Sequence, residues 1–309
     1  MSGDPTDREP LVLVTGGAGF IGVHTVARLL DEGRRVRVLD DLRTGRREHL
    51  PRHPALEFVR GDVRDPALLA RVLEGVSHVL HLAAQVSVEH SLRDPVDSCS
   101  ENILGFVTVL AAAHRARARF VYASSAAVYG DPGVAPATET DPPAPLSPYG
   151  LEKVVDESYA ALYARLHAYP CLGLRYFNVY GPLQDPDSPY AGVVANFLAR
   201  ALRGEPLAVR GDGLQERDFV HVHDVARINA RVLFGRASGV LNVARGESVS
   251  LRTLVATLER VLGRPLRVRS VPELPGEIRI SRADVRRLQR EAVLPEIGLE
   301  EGLRSLVGV

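Results

Sequence analysis

Cysteine is scarce in this chain of 309 residues: there are two, Cys99 and Cys171. Two thiols without a partnering histidine motif build no disulfide framework, and both read as small buried residues in a reducing cytoplasm. Net charge is lacking as well. Lysine plus arginine equals aspartate plus glutamate at 38 each, so no bulk field draws the chain to nucleic acid or to an anionic membrane. Long apolar runs are missing. Stretches such as Phe106 to Ala113 fall short of the roughly 18 residues that suggest a membrane span. Met1 to Pro10 is polar and acidic and lacks the apolar segment of a signal peptide. No internal repeat and no low-complexity linker interrupts the chain. The expectation is a soluble, cytoplasmic protein.

What is present is an alternation. Short aliphatic runs at Leu11–Val14, Val36–Leu39, Leu56–Val59, His78–Leu82, Arg119–Ala123 and Leu172–Tyr176 read as strands buried on both faces. Stretches of helical period lie between them, around 20–32, 66–74, 95–117 and 148–168, the pattern of a parallel sheet wrapped by helices. After Tyr180 the punctuation changes. Gly181-Pro182 and Asp185-Pro186-Asp187-Ser188-Pro189 lead into a second region. Helices near 190–203, 223–235 and 250–262 follow there, with strands at Leu207–Val209, Phe219–Val222 and Val240–Ala244. Residues 1–180 are expected to form a nucleotide-binding domain, extended by about 218–245, and residues 181–309 a smaller substrate-facing one.

The first strand runs straight into Gly16-Gly17-Ala18-Gly19-Phe20-Ile21-Gly22. In such a strand–turn–helix, Gly16 permits the tight turn, Gly19 lets backbone approach a pyrophosphate, and Gly22 lets the helix pack on the sheet. The pyrophosphate then meets a helix N-terminus, where free N–H groups and the dipole favour negative charge. Alone, the turn is weak evidence, since it also reads as a glycine-rich loop. Asp40 adds context: it ends the second strand, where an acid hydrogen-bonds the adenosine ribose and repels a 2′-phosphate, favouring NAD over NADP. Arg43, Arg46 and Arg47 read either as a cradle for such a phosphate or, more simply, as a solvated loop. Asp62, after the third strand, either meets the adenine amino group or caps a helix.

Ser147-Pro148-Tyr149-Gly150-Leu151-Glu152-Lys153 opens a helix, with Ser147 as N-cap and Pro148 at the first position. Tyr149 and Lys153 are four apart and share a face. A tyrosine acting as a base must give up a proton held with a reference pKa near 10, and an adjacent ammonium favours the phenolate. Ser125 ends the fifth strand at the carboxyl edge of the sheet, either hydrogen-bonding a sugar oxygen or serving as a turn serine.

Together these segments resemble the extended short-chain dehydrogenase/reductase superfamily, in its nucleotide-sugar epimerase/dehydratase branch. The resemblance runs from Leu11 to about Leu306 and includes Gly61-Asp62-Val63, His81-Leu82-Ala83-Ala84-Gln85 and Asn102-Ile103-Leu104-Gly105. It continues in Arg175-Tyr176-Phe177-Asn178-Val179-Tyr180-Gly181-Pro182, Gly211-Asp212-Gly213 and Arg217-Asp218-Phe219-Val220-His221-Val222. It implies an α/β fold: a Rossmann-type doubly wound parallel sheet binding NAD, with a smaller C-terminal α/β domain for a nucleotide-diphosphate sugar. Tyr149 is implied as the base, Lys153 as its partner and ribose ligand, and Ser125 as the third catalytic hydroxyl. Implied NAD contacts, besides Tyr149 and Lys153, are Gly16, Gly19, Phe20, Ile21, Gly22, Asp40, Asp41, Thr44, Gly45, Asp62, Val63, Leu82, Ala83, Ala84, Gln85, Asn102 and Tyr176, the last near the nicotinamide. Implied substrate contacts are Ser87, Ser125, Asn178, Arg217, Glu277 and Ser281. Asn178 and Arg217 meet the diphosphate, for which a guanidinium offers charge and directed donors. A homodimer through the helices near 95–117 and 148–168 is also implied.

The branch diverges just after Ser125. Its 4,6-dehydratases resemble one another in carrying Asp-Glu there, and its decarboxylating members carry a glutamate at the second position. This sequence has Ala126 and Ala127, which transfer no proton. The segment is similar to that of the UDP-glucose 4-epimerases. That resemblance implies oxidation at C4, rotation of the 4-ketose about its diphosphate, and reduction on the opposite face. A dehydratase or a 4-ketoreductase of deoxysugar synthesis is the nearest enzymatic alternative. A catalytically silent NAD-sensing module is the alternative of another class, and intact Tyr149, Lys153 and Ser125 speak against it. Two departures follow. Leu274 stands where the branch usually carries a diphosphate-gripping arginine, so Arg279 or another arginine substitutes, or the nucleotide is held differently. Ser281 is small where a bulky residue restricts the group on sugar C2, which implies tolerance of N-acetylated sugars. His221-x-His223-Asp224 places two imidazoles on one face of a strand, but no third ligand with zinc-like spacing follows, so no metal is expected.

Overall fold

The computed structural model describes residues 10–186, 192–272 and 278–308. In chain order the strands are β1 (Leu11–Thr15), β2 (Arg35–Asp40), β3 (Leu56–Arg60), β4 (Val76–His81), β5 (Arg119–Ser125), β6 (Cys171–Tyr176) and β7 (Asn178–Tyr180). They continue as β8 (Leu207–Arg210), β9 (Glu216–His221), β10 (Gly239–Val243), β11 (Ser248–Ser250), β12 (Val268–Val271) and β13 (Ile280–Ser281). The helices are α1 (Phe20–Asp31), α2 (Pro66–Val72), α3 (Val88–Arg93), α4 (Pro95–Cys99), α5 (Gly105–Arg115), α6 (Pro148–His167), α7 (Val193–Leu202), α8 (Val222–Leu233), α9 (Leu251–Leu262), α10 (Arg286–Glu291) and α11 (Leu299–Val307).

Seven parallel strands form the main sheet in the order β10-β6-β5-β4-β1-β2-β3. Alternate residues of β1 explain why both faces are covered. Val12 and Val14 join Val38, Leu80 and Val121 under α1 and α8, whereas Leu11 and Leu13 join Val79, Phe120 and Tyr122 under α2 and α5. Side chains two apart share a face, so near-continuous aliphatic strands demand helices on both sides. The strand order reverses beside β1, which pairs with β2 on one edge and β4 on the other. At such a switch point the connections leave in opposite directions and open a crevice at the carboxyl ends, where ligands bind in this architecture.

α4, a π-helical turn (Ser100–Leu104) and α5 make one helical run, Pro95–Arg115, long and apolar enough by length and composition to cross a membrane. Its apolar face is spoken for: Phe106, Val109, Leu110 and Ala113 are buried against the sheet. Cys99, expected to be buried, is exposed on α4, while Cys171 is buried in β6. Beyond β7 a second core gathers Phe197, Leu207, Phe219, Leu254, Leu258 and Leu303 from α7, β8, β9, α9 and α11. The chain then returns: α8 packs on α1, and β10 adds in parallel to β6.

Candidate active site

The glycine turn sits at the switch point. Gly16 has a φ of +67°, and a Cβ there would lie 2.6 Å from the backbone N of Ala83. A Cβ on Gly22 would lie 2.3 Å from the Gly16 carbonyl oxygen, so helix and turn meet only because neither carries a side chain. Gly19 is the N-cap of α1 and offers no side-chain cap, and no acid occupies the first turn, which begins at Phe20 and Ile21. First-turn N–H groups are therefore left for an anion. Asp40 closes the rim. Its Oδ2 accepts from Ala18 N at 2.9 Å and its Oδ1 from Leu42 N at 2.8 Å. Burial pushes this carboxyl up, against the two backbone bonds. The loop carrying Asp41, Thr44 and Gly45 folds back over the turn: Arg46 N donates to the Ala18 carbonyl at 3.0 Å, and a Cβ on Gly45 would lie 2.8 Å from Asp40 Oδ1.

The basic cluster after Asp40 is tied to the protein. Arg43 pairs with Glu101, Arg46 lies 3.6 Å from Asp185, and the Arg47 guanidinium stacks 5.0 Å over Phe58. Asp62 is gripped by Arg64, whose hydrogen bonds hold the carboxyl below its ordinary range. The cap of α2 is Asp65 instead. Val63 lies beside it, against the helix run at Gly105.

The residues implied as catalytic stand on two elements, β5 and α6. Ser125 ends β5, with Oγ accepting from Ala127 N at 3.1 Å. Tyr149 and Lys153 stand on the first turns of α6, whose N-cap Ser147 accepts from Gly150 N. The backbone N of Tyr149 donates to Ser91 Oγ at 3.1 Å, which locks the start of the helix onto α3. Lys153 is 4% exposed. Burial works against its charge, yet Asp156, Tyr149 and Glu152 more than compensate, so its amine holds its proton more firmly than usual. His81, at the end of β4, contacts Thr15 Oγ1 at 2.7 Å; burial, assisted by Lys153, pushes it down to about 3, so it is neutral.

Several residues expected at the ligand are braced within the protein. Asn102 projects from the π-turn with its Oδ1 accepting from Gln85 N at 2.8 Å and its Nδ2 donating to Glu152 Oε2 at 2.6 Å. Gln85 reaches Ser98 Oγ, which donates in turn to Glu152. Ser87 caps α3 through His90 N. Ser87 and Asn102 are each 2% exposed, and their side chains shape the loop after β4 (Leu82, Ala83, Ala84). Tyr176 lies beside Ser125 in the β5–β6 register, but its hydroxyl is spent on Asn229 at 2.7 Å. The residue is buried in the core under α8. The expected His221–His223 strand face does not form, because β9 ends at His221, which caps α8 through His223 N.

Composition held one signal that the motifs did not carry. Of the 38 lysines and arginines, Lys153 is the only lysine. Where arginine serves at every other cationic position, a lone lysine marks a place that needs a compact ammonium, with three N–H donors on a flexible stem, rather than a planar fork.

Comparison with known proteins decides the family. Residues 12–244 match the model of the NAD dependent epimerase/dehydratase family. The chain belongs to that family. It is 38% identical over 302 residues to the putative UDP-glucose 4-epimerase of Methanocaldococcus jannaschii, covering 96% of this chain and 97% of that one. Among solved structures it is similar to the UDP-N-acetylglucosamine 4-epimerase of Methanobrevibacter ruminantium M1 in complex with UDP-N-acetylmuramic acid. That match has a TM-score of 0.93 and 35% identity and covers 97% and 98% of the two chains. The Thermus thermophilus UDP-glucose 4-epimerase in complex with NAD matches with a TM-score of 0.89 and 39% identity, covering 96% and 98%.

NAD is the family's cofactor, and the residues present fit it: uncapped N–H groups at α1, a glycine turn that side chains would fill, and a carboxylate at the adenosine end with the nearby arginines engaged elsewhere. The residues implied as substrate contacts are aligned by β9. Asn178 of β7 pairs with Phe219, and Ser281 of β13 pairs with Arg217 itself. Three residues far apart in sequence thus line up along one strand. Arg217 Nη1 donates to the Ile278 carbonyl at 2.9 Å. Arg279, the candidate substitute for the missing arginine, forms a two-pronged pair with Asp212 at 2.9 and 2.7 Å. Leu274 and Glu277 lie outside the described residues.

Proposed function

We propose that the protein is a nucleotide-sugar 4-epimerase acting on UDP-hexoses, with room for an N-acetyl group at C2. The observation that carries this reading is the site's single proton-transfer set. Tyr149 and Lys153 share one face of α6, which packs at Gly150 over the Ala127 carbonyl, while Ala126 and Ala127 follow Ser125 in a 3₁₀ turn with no acid or base of their own. A dehydratase or decarboxylase needs a further group there. The glycine turn, Asp40 and Lys153 would hold NAD, which supplies a reversible hydride acceptor. Tyr149 removes the proton from the C4 hydroxyl and later returns one, and Lys153 steadies the phenolate. Arg217 and Asn178 anchor the diphosphate by charge and directed hydrogen bonds, leaving the sugar free to turn over. Ser281, level with Arg217, leaves space beside C2.

Purified protein incubated with UDP-glucose and UDP-N-acetylglucosamine is expected to interconvert each with its C4 epimer, without net release of reduced cofactor. Loss of water, loss of carbon dioxide or net reduction at the expense of NADPH overturns the reading; strict rejection of the N-acetylated sugar overturns its finer part. The same reading includes a second copy of the chain. α6 turns Leu151, Tyr159, Leu162 and Leu166 outward, beside Val96 and Leu104 of the Pro95–Arg115 run. Such a stripe at helical spacing suits a helix-on-helix contact. Light scattering is expected to give twice the 33.6 kDa chain mass, and a monomer at micromolar concentration removes the dimer.

A further inference from the structure

Beneath the reacting end of α6 lies a carboxylate that the reaction does not use. Asp156 is 0% exposed, one turn beyond Lys153, with Oδ2 3.1 Å from the Lys153 Nζ. Its other oxygen, Oδ1, is buried without a hydrogen-bond partner. A half-satisfied buried charge is costly, and an apolar residue would fill the place without that cost. The position therefore calls for a reason beyond packing.

We propose that Asp156 is a positioning residue, an assignment resting on the epimerase reading above: its carboxylate keeps the Lys153 ammonium charged and in place on the face it shares with Tyr149. Desolvation is the largest influence on Lys153 and would strip its proton; Asp156 is the largest that restores it. The surrounding elements offer little else. From β4, His81 is neutral. From β5, burial lifts the Tyr122 hydroxyl far above its ordinary value. From β6, Cys171 is pushed up to about 12 by burial, and Arg175 is neutralised by Glu157 of α6. Glu152, on α6 itself, already accepts from Ser98 and Asn102. Asp156 thus takes one of the three ammonium N–H groups and leaves two for Tyr149 and a ribose diol. Burial lifts Asp156 to about 6 against the pull of Lys153, so the carboxylate is ionised in neutral solution and takes up a proton on the acid side.

The single lysine makes the test direct. Protein labelled with ¹³C at lysine Cε gives one lysine side-chain signal, followed against pH with and without NAD. The wild type is expected to titrate at or above the ordinary lysine range, and Asp156→Asn at least two pH units lower, as buried amines do. In the activity of the same proteins, Asp156→Asn is expected to lose kcat on the alkaline side, as pH rises through the lowered lysine titration. One pH unit above the variant's lysine titration that is about a tenfold loss relative to wild type, converging on wild type toward neutral pH, with KM within about twofold. Asp156→Glu keeps both the alkaline kcat and the lysine titration near wild type. Should Asp156→Asn fail to fold, Asp156→Ser carries the same expectation. An unmoved lysine titration, or a kcat lowered equally at every pH, overturns the proposal. If the wild type epimerises no sugar, the functional reading fails while the lysine titration still decides this one.

Discussion

Tyr149→Phe is expected to lower kcat for C4 epimerisation by about a thousandfold or more, with NAD still retained. The magnitude follows from what one positioned acid–base group contributes, roughly 10²–10⁴, since no second base follows Ser125. The substitution keeps the ring and removes only the hydroxyl. The backbone of residue 149 stays tied to Ser91, and neither the glycine turn nor Asp40 touches the lost oxygen. Steady-state epimerisation, with bound cofactor read by absorbance after gel filtration, separates the two effects. A variant that turns over at more than a tenth of the wild-type rate removes Tyr149 from the chemistry. One that loses its cofactor shows that the hydroxyl serves to hold the cofactor.

The second large effect is on stability. Glu157 and Arg175 form a two-pronged pair behind the site, Nε–Oε1 at 2.9 Å and Nη2–Oε2 at 2.7 Å, with both side chains largely buried. The guanidinium also lies 4.7 Å from the Tyr129 ring centroid, and Ser124 donates to the same carboxylate at 2.6 Å. Glu157→Gln leaves a buried guanidinium without its counter-charge, a loss of about 3–5 kcal/mol. For a chain of this size that corresponds to roughly 10 °C in the melting temperature. Calorimetry of the two proteins checks it, and a difference under about 2 °C rules the pair out as a stabilising element. The pair ties the ends of β5 and β6 to α6, so Ser125 and Tyr149 are expected to lose register before the rest of the sheet does.

Much of the site was legible because its signals are local. The glycine turn, Asp40 and Tyr149/Lys153 each depend on spacings of a few residues within one strand or helix. The six expected strands of the first half all appear within a residue or two. Short elements were not legible: α3, β11, β12, β13, α10 and α11 span between two and nine residues, too few to show a period. A motif also does not say where a side chain points. Gln85 and Asn102 stand in the expected segments, yet their amides brace a loop, because the π-turn swings Asn102 inward to Glu152.

By itself, the sequence determined the glycine-rich strand–turn–helix, the acid that ends the second strand, the order of Ser125, Tyr149 and Lys153, and the absence of an acid or base directly after Ser125. Tertiary structure alone decided the rest. Only β-pairing across β9 brings Asn178, Arg217 and Ser281 together, since strand partners are chosen by the whole fold. Only packing decided the facing of α6. Its buried positions are Gly150, Glu152, Lys153, Asp156 and Ala160, while Leu151, Tyr159, Leu162 and Leu166 face out. A reading from hydrophobic period would turn that helix half a revolution. The site needs charge on the inner face, where low dielectric strengthens each hydrogen bond to the lysine, and that requirement overrides the burial of leucine.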